Sequence, residues 1–191
     1  MGIEYESPIL VYHGGRWDGP PEVQRGRAKR TEHGPGIYFT TSLATARKYA
    51  KGGGKVKRAA ISPNLRWIGG VKIPLAEAVG FVRSQSRMKH KAEVIEDLKR
   101  HAERMKSALV DAEVLVNLGV NHDALVGDAA PAMARFLVEH GVDASLARMS
   151  ANAGVDEDWL VIFNPRVILS VEEIDKKSPW DLPLVRARIG R

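Results

Sequence analysis

Apolar positions fall into three regimes along this chain: short unbroken runs near the start, a helical stripe in the middle, and short runs again towards the end. Ile9-Leu10-Val11-Tyr12 is wholly apolar and lies between Pro8 and Gly14-Gly15, which reads as a short buried strand with His13 where the chain leaves the core. Gly34 and Gly36 lead into a second run, Ile37-Tyr38-Phe39-Thr40, and a Ser/Thr cluster then opens a helix that stops at Gly52. Val56 to Ile61, closed by Pro63, reads as a strand, and Leu65 to Ile68 as another short one before Gly69-Gly70.

In the middle, residues 74–118 read as helical. From Val94 the apolar residues Leu98, Ala102, Met105, Leu109, Ala112 and Val116 recur at alternating steps of four and three. Lys91, Glu96, Lys99, Arg100, Glu103 and Lys106 occupy the opposite side, so the pattern predicts one amphipathic helix of roughly 20–30 residues. A second helix is expected from Asp128, with Pro131 in its first turn, Met133, Phe136 and Leu137 buried, and Gly141 as its stop. Sheet periodicity then returns. Residues 144–149 read as a strand, Asn152 to Asp156 as a turn, and Trp159-Leu160-Val161-Ile162-Phe163 as a central strand, apolar on both faces. Asn164-Pro165 ends it, Val167 to Ile174 gives a last strand, and residues 176–191 form a basic, Pro-containing tail. No repeat or linker interrupts this order, so residues 1–191 are read as one domain with a helical insertion at about 74–141.

Composition narrows the chemistry. Apolar residues at 44% and charged residues at 27% suit a globular chain. No run of 18 apolar residues and no basic-plus-apolar leader is present, so no membrane partner and a cytoplasmic setting are expected. The absence of cysteine excludes disulfides, thiolate catalysis and cysteine-ligated zinc. His90, His101, His122 and His140 have no metal-ligand spacing and are expected at the surface; no metal site is expected. The net charge of +6 favours an anionic partner: a nucleic acid, an acidic protein patch or the phosphates of a nucleotide. Basic residues gather in two loops, 24–30 and 51–58, the first within a long segment (15–36) that joins His13 to Tyr38 and is expected to lie over a cleft.

Three features carry the candidate chemistry. His13-Gly14 ends the first strand, Tyr38 stands in a Gly-x-Gly-Ile-Tyr-Phe run with Tyr49 one turn before a glycine stop, and Asp156-Glu157-Asp158 opens the late central strand. Two tyrosines at a strand end and in the following helix can sandwich a flat heteroaromatic ring. Carboxylates at the mouth of an apolar strand are costly to desolvate unless used or paired. Each feature by itself also reads as ordinary core or turn; their order along the chain is what sets them apart.

Together, Tyr12-His13-Gly14-Gly15, Gly34-Pro35-Gly36-Ile37-Tyr38-Phe39 with Tyr49, and Asp158-Trp159-Leu160-Val161-Ile162-Phe163 resemble the ADP-ribosyltransferase superfamily. The likeness is to the branch that contains diphtheria toxin and the poly(ADP-ribose) polymerases, and it covers about residues 8–62 and 142–174. It implies an α+β fold with a split antiparallel β-sheet and a helical segment inserted between the two halves. It also implies NAD as substrate and catalysis by His13, Tyr38 and Asp158. In that reading Tyr38 and Tyr49 clamp the nicotinamide and Gly14 offers backbone bonds to its carboxamide. His13 bonds the adenosine ribose, Arg16 or the loop cations meet the pyrophosphate, and Asp158 bonds the nicotinamide ribose. The third acid is Asp where the family usually has Glu, which points to transfer of a single ADP-ribose, and Glu157 competes with Asp158 for the role. The implied activity is mono-ADP-ribosylation of a macromolecule, protein more than nucleic acid, as a toxin or a phage or bacterial effector. The compartment is then cytoplasm, including that of a host cell. Nucleic-acid modification through the basic loops, NAD hydrolysis, and binding without catalysis are the alternatives.

Overall fold

The structure, a computed structural model, describes residues 7–27, 32–150 and 156–175. Its first part runs β1 (Ile9–Gly15), β2 (Ile37–Thr40), α1 (Leu43–Tyr49) and β3 (Lys55–Ile61). The middle runs β4 (Lys72–Pro74), α2 (Leu75–Ser84), α3 (Lys91–Met105), β5 (Leu109–Asp111), α4 (Ala112–Asn121) and α5 (Ala129–Glu139). The chain then returns to sheet in β6 (Ala144–Ser150), β7 (Asp156–Ile162) and β8 (Ile168–Ile174). The fold is thus mixed α and β, with five helices among the described residues.

The long strands form one six-stranded sheet in the order β6-β7-β2-β1-β3-β8, every neighbouring pair antiparallel. The first and last parts of the chain therefore share a single sheet, while β4 and β5 pair separately as a short two-stranded ribbon. The two sheet faces are buried differently. Ile9, Val11, Ile37, Phe39, Leu160 and Ile162 pack with Trp17, Ala59 and Ile61 on one face. Val161 and Phe163 enter the other core, built mostly by the helices, and Tyr38 packs against it. β7 is buried on both sides because β6 and β2 flank it and each face has its own core, as its double-sided apolar pattern predicts.

At the centre of the sheet β1 and β2 meet in one register pair, Tyr12↔Thr40, whereas β1 and β3 are laddered from Ile9↔Ile61 to Gly15↔Lys55. Because that ladder continues to Gly15, His13 lies inside β1 rather than at its exit, which is a correction to the sequence reading. Helix α1 crosses close above this junction. Its N-cap is Ser42, whose hydroxyl accepts from the Thr45 amide at 3.1 Å. A Cβ at Gly14 would lie 1.7 Å from the Ala46 carbonyl oxygen, so only glycine lets the helix settle there.

Two sequence expectations change in the middle of the chain. The single helix expected through Val94–Val116 is broken: α3 ends at Lys106, which takes a left-handed conformation at φ 48°. Ser107 N–H then bonds the Ala102 carbonyl and Lys106 N–H that of Glu103, a Schellman stop. Leu109–Asp111 becomes a strand that pairs with Lys72–Pro74. The apparent stripe spans this break through Met105 and Leu109, which are 57% and 44% exposed and so carry no core. Leu65–Ile68 is no strand but makes an isolated bridge, Trp67↔Ala144. α5 follows expectation, with Asp128 as N-cap, Met133 and Leu137 buried, and Gly141 past its end at φ 80°, except that Phe136 is only partly buried. Residues 28–31 of the basic loop, 152–155 of the expected turn and the tail 176–191 lie outside the described residues. No helix among the described residues is long and apolar enough to cross a membrane.

Candidate functional site

The face of the sheet that carries Tyr38 also carries Thr40, Glu157 and Trp159. β2 and β7 pair as Tyr38↔Val161 and Thr40↔Trp159, and side chains alternate along a strand. Glu157 leans from β7 over Thr40 and into α1. One of its carboxylate oxygens accepts from Thr45 Oγ1 at 2.6 Å and Thr40 Oγ1 at 3.4 Å, and the other from Trp159 Nε1 at 2.8 Å. Three donors from three elements thus fix one half-buried carboxylate. Asp158 points the other way by the same alternation, and its backbone is held by Thr41, whose N–H donates to the Asp158 carbonyl at 3.0 Å. Thr41 Oγ1 in turn accepts from the Asp158 N–H at 3.1 Å.

Aromatic rings continue this face. Tyr49, on the last turn of α1, is 60% exposed and stands 5.5 Å from the Trp159 ring at a steep angle. His33 lies 5.8 Å from Trp159 and 6.3 Å from Tyr38. The Tyr38 hydroxyl donates to the Gly34 carbonyl at 2.7 Å and accepts from the His33 amide at 3.2 Å. Burial pushes its pKa up to about 12, so it stays a neutral phenol. Gly36 is required here for space: a Cβ would come 2.5 Å from Val161 Cγ1 and 2.8 Å from the Ile162 carbonyl. The glycine pattern ahead of Tyr38 therefore follows from close packing of β2 on β7.

His13 sits across the β1/β2 junction, on the other face, with Trp17 and Phe39 at 5.1 and 6.0 Å between ring centroids. Its Nδ1 donates to the Tyr38 carbonyl at 2.8 Å, so the imidazole joins the two strands where their ladder has ended. A carbonyl can only accept; Nδ1 must carry the proton. Burial lowers the His13 pKa, the Tyr38 carbonyl opposes that shift, and Lys57 adds to the lowering. The neutral ring presents Nε2 as an acceptor.

The residues singled out in the sequence are thus distributed around one junction of three adjacent strands, β7, β2 and β1. Tyr38, Tyr49 and Glu157 share a face, His13 and Asp158 alternate to the opposite one, and Gly14 lies beneath α1. Arg16 is exposed just past β1 and makes no ion pair with a described residue. Several of the described basic side chains in the two loops are already partnered. Lys55 pairs with Glu173 at 2.9 Å, Arg58 with Glu172, and Arg25 with Asp128 at 2.9 Å, while Lys57 lies over the Trp17 ring at 5.0 Å. The 15–36 segment is also tied to the helices by a two-hydrogen-bond bridge between Gly26 and Gly127.

Thr45, Trp159 and His33 were not picked out from the sequence as site residues. Strand alternation does hold the signal for Trp159, since residues two apart share a face and Glu157 and Trp159 are such a pair. Thr45 and His33 reach the cluster through tertiary register, for which one chain has no local mark. No cluster of metal-ligating side chains occurs among the described residues. The chain matches no protein-family model, no curated protein and no solved structure.

Proposed function

We propose that this chain is an ADP-ribosyltransferase that uses NAD as substrate and transfers a single ADP-ribose to a macromolecular acceptor, protein in preference to nucleic acid. The observation that carries the reading is the Glu157 cluster: a carboxylate next to the third motif hydrogen bonded to Thr40 and Thr45, which follow the second, on the face that carries Tyr38 and beside the exposed ring of Tyr49. The parting of β1 from β2 after one pair supports the split-sheet form of the fold.

The residues fit the chemistry of NAD. Its nicotinamide is cationic and departs without a general acid, so the protein has to hold the ring and favour positive charge on the ribose. Tyr49 offers an open aromatic face that attracts a cationic ring. Glu157, held through one oxygen by Thr45 and Thr40, sets a negative charge beside the developing oxocarbenium. His13, on the opposite face, serves this site through the Tyr38 carbonyl, to which its Nδ1–H ties β1. The geometry favours Glu157 over Asp158 as the carboxylate of this site because Glu157 shares a face with the tyrosines. Arg25, Lys55 and Arg58 are each paired with an acid elsewhere in the fold, which takes up part of the positive charge that would gather a nucleic acid and favours a protein acceptor.

The test is incubation of the protein with adenine-labelled NAD and a cell lysate, followed by separation of protein, nucleic acid and free ADP-ribose. Label is expected in protein. Glu157→Gln is expected to lower labelling about 100-fold or more, and Asp158→Asn to leave most of it. Loss in Asp158→Asn with retention in Glu157→Gln would reverse the assignment of the acid, and no label in any fraction would remove the proposed activity.

A further inference from the structure

We propose that Trp159 is a positioning residue whose indole holds the site closed and reserves Glu157 for the dinucleotide. This rests on the NAD reading above and assigns a role to a side chain which that reading leaves unused.

The rings on the site face form a chain: Tyr38, His33, Trp159, Tyr49, with successive centroid separations of 6.3, 5.8 and 5.5 Å. The indole and the imidazole thus stand along the path between the two tyrosines. The same indole donates its Nε1–H to one Glu157 oxygen at 2.8 Å, while Thr45 and Thr40 serve the other. A flat ring that settles between Tyr38 and Tyr49 has to displace the indole, and that displacement takes the donor away from Glu157.

A half-buried carboxylate stripped of a donor is costly, because a hydrogen bond to a charged group is worth more than one between neutral partners. NAD supplies the replacement: its ring enters where the indole stood, and a ribose hydroxyl donates to the oxygen that the indole left. Free nicotinamide has the ring but no hydroxyl at that place. The latch therefore costs both ligands alike, and only the dinucleotide offsets that cost with a hydroxyl of its own. It also returns to Glu157 once the glycosidic bond is broken, which expels the base after the reaction. Trp159 touches Glu157 while the site is closed and acts through it.

Trp159→Phe keeps an aromatic ring and removes only the donor. The closed state then loses its latch, and both ligands no longer compete with it. NAD and nicotinamide are each expected to bind about fivefold to tenfold more tightly, with KM for NAD lowered and kcat within about threefold; the last figure follows because the indole has already left Glu157 when NAD is bound. A residue that only filled space would give weaker or unchanged binding. A second readout is independent of turnover. With 5-fluorotryptophan incorporated at the four tryptophans, the fluorine resonance missing from Trp159→Phe identifies Trp159. That resonance should shift on titration with NAD and with nicotinamide.

A wild-type Trp159 resonance that stays fixed while NAD binds overturns the proposal, as does unchanged KM in a well-folded Trp159→Phe. In either case Glu157→Gln would still abolish activity and the NAD reading would stand. If NAD does not bind the wild-type protein at all, by calorimetry, both fall together.

Discussion

Asp143 and Glu157 are both carboxylates near the last strands, and their surroundings give them different work. Asp143 is 3% exposed and accepts from Arg66 through the backbone N–H, Nε and a terminal guanidinium nitrogen, as well as from Asn164 Nδ2. Arg66 lies between β3 and β4 and Asn164 follows β7, so Asp143, just before β6, ties these segments together at one end of the sheet. The Arg66 guanidinium holds its carboxyl below the usual carboxylate range, against the opposing effect of burial. A depressed folded pKa contributes stability that is present above the unfolded value of about 4 and is lost as pH falls through the folded one. Asp143→Asn is therefore expected to cost about 2 kcal/mol at neutral pH, and to flatten the acid limb of the urea-midpoint profile below pH of about 4. His13 works with the same sign. Burial lowers its pKa, so folding favours the neutral ring. That contribution is complete above the unfolded value of about 6.5 and declines as pH falls from there towards the folded value. Nuclear magnetic resonance titration of His13 should show a midpoint below that of exposed histidines; a midpoint at or above theirs would contradict the buried Nδ1–H donor.

Among the elements, glycines separate packing from flexibility. Gly14→Ala would press a methyl group into the Ala46 carbonyl, and neither backbone can yield without moving α1 away from β1. A loss of about 3 kcal/mol is expected, with Tyr49 and Thr45 displaced along with the helix. Gly80, exposed in the interior of α2 with nothing within 4 Å of an added Cβ, is expected to behave oppositely. Gly80→Ala should raise stability by about 0.5–1 kcal/mol; equal effects at the two positions in thermal melts would contradict this account of α1. Strands were legible where the apolar run was short and punctuated, as in Ile37–Thr40 and Trp159–Phe163, and so was α5, with its Pro131 and Gly141. The break after α3 was not. A stripe with steps of four and three continues in phase through Lys106, while the stop depends on a left-handed residue that need not be glycine. The β4–β5 ribbon was hidden for a related reason: its three-residue strands are defined by pairing with each other.

For the molecule as a whole, β1 to β3 near the start and β6 to β8 near the end interleave in one sheet, with the helices of the middle packed on one face. That order brings the motif-bearing strands β7, β2 and β1 side by side. Their neighbouring order comes from the sheet pairing, and so does the face each acid takes, because a shift of one residue reverses it. Asp158 was the sequence candidate, and the register Thr40↔Trp159 is what turns Glu157 to the tyrosines. The 15–36 segment adds a long-range tie, since Val23 touches both cores and Gly26 bridges to Gly127. A Cβ at Gly26 would meet the Leu125 carbonyl oxygen at 1.8 Å. Gly26→Ala is expected to free this segment and speed tryptic cleavage at Arg25 and Arg27; unchanged cleavage would show that the bridge does not hold it.

Release of nicotinamide from NAD by the purified protein tests the central claim most directly, because transfer and hydrolysis both begin with that step. The wild-type protein is expected to release it, Tyr49→Ala to raise KM with kcat largely kept, and Glu157→Gln to lower kcat about 100-fold or more. Release that persists unchanged in Glu157→Gln, or no release by the wild-type protein with any acceptor present, would contradict the assignment of this face of the sheet as an NAD site.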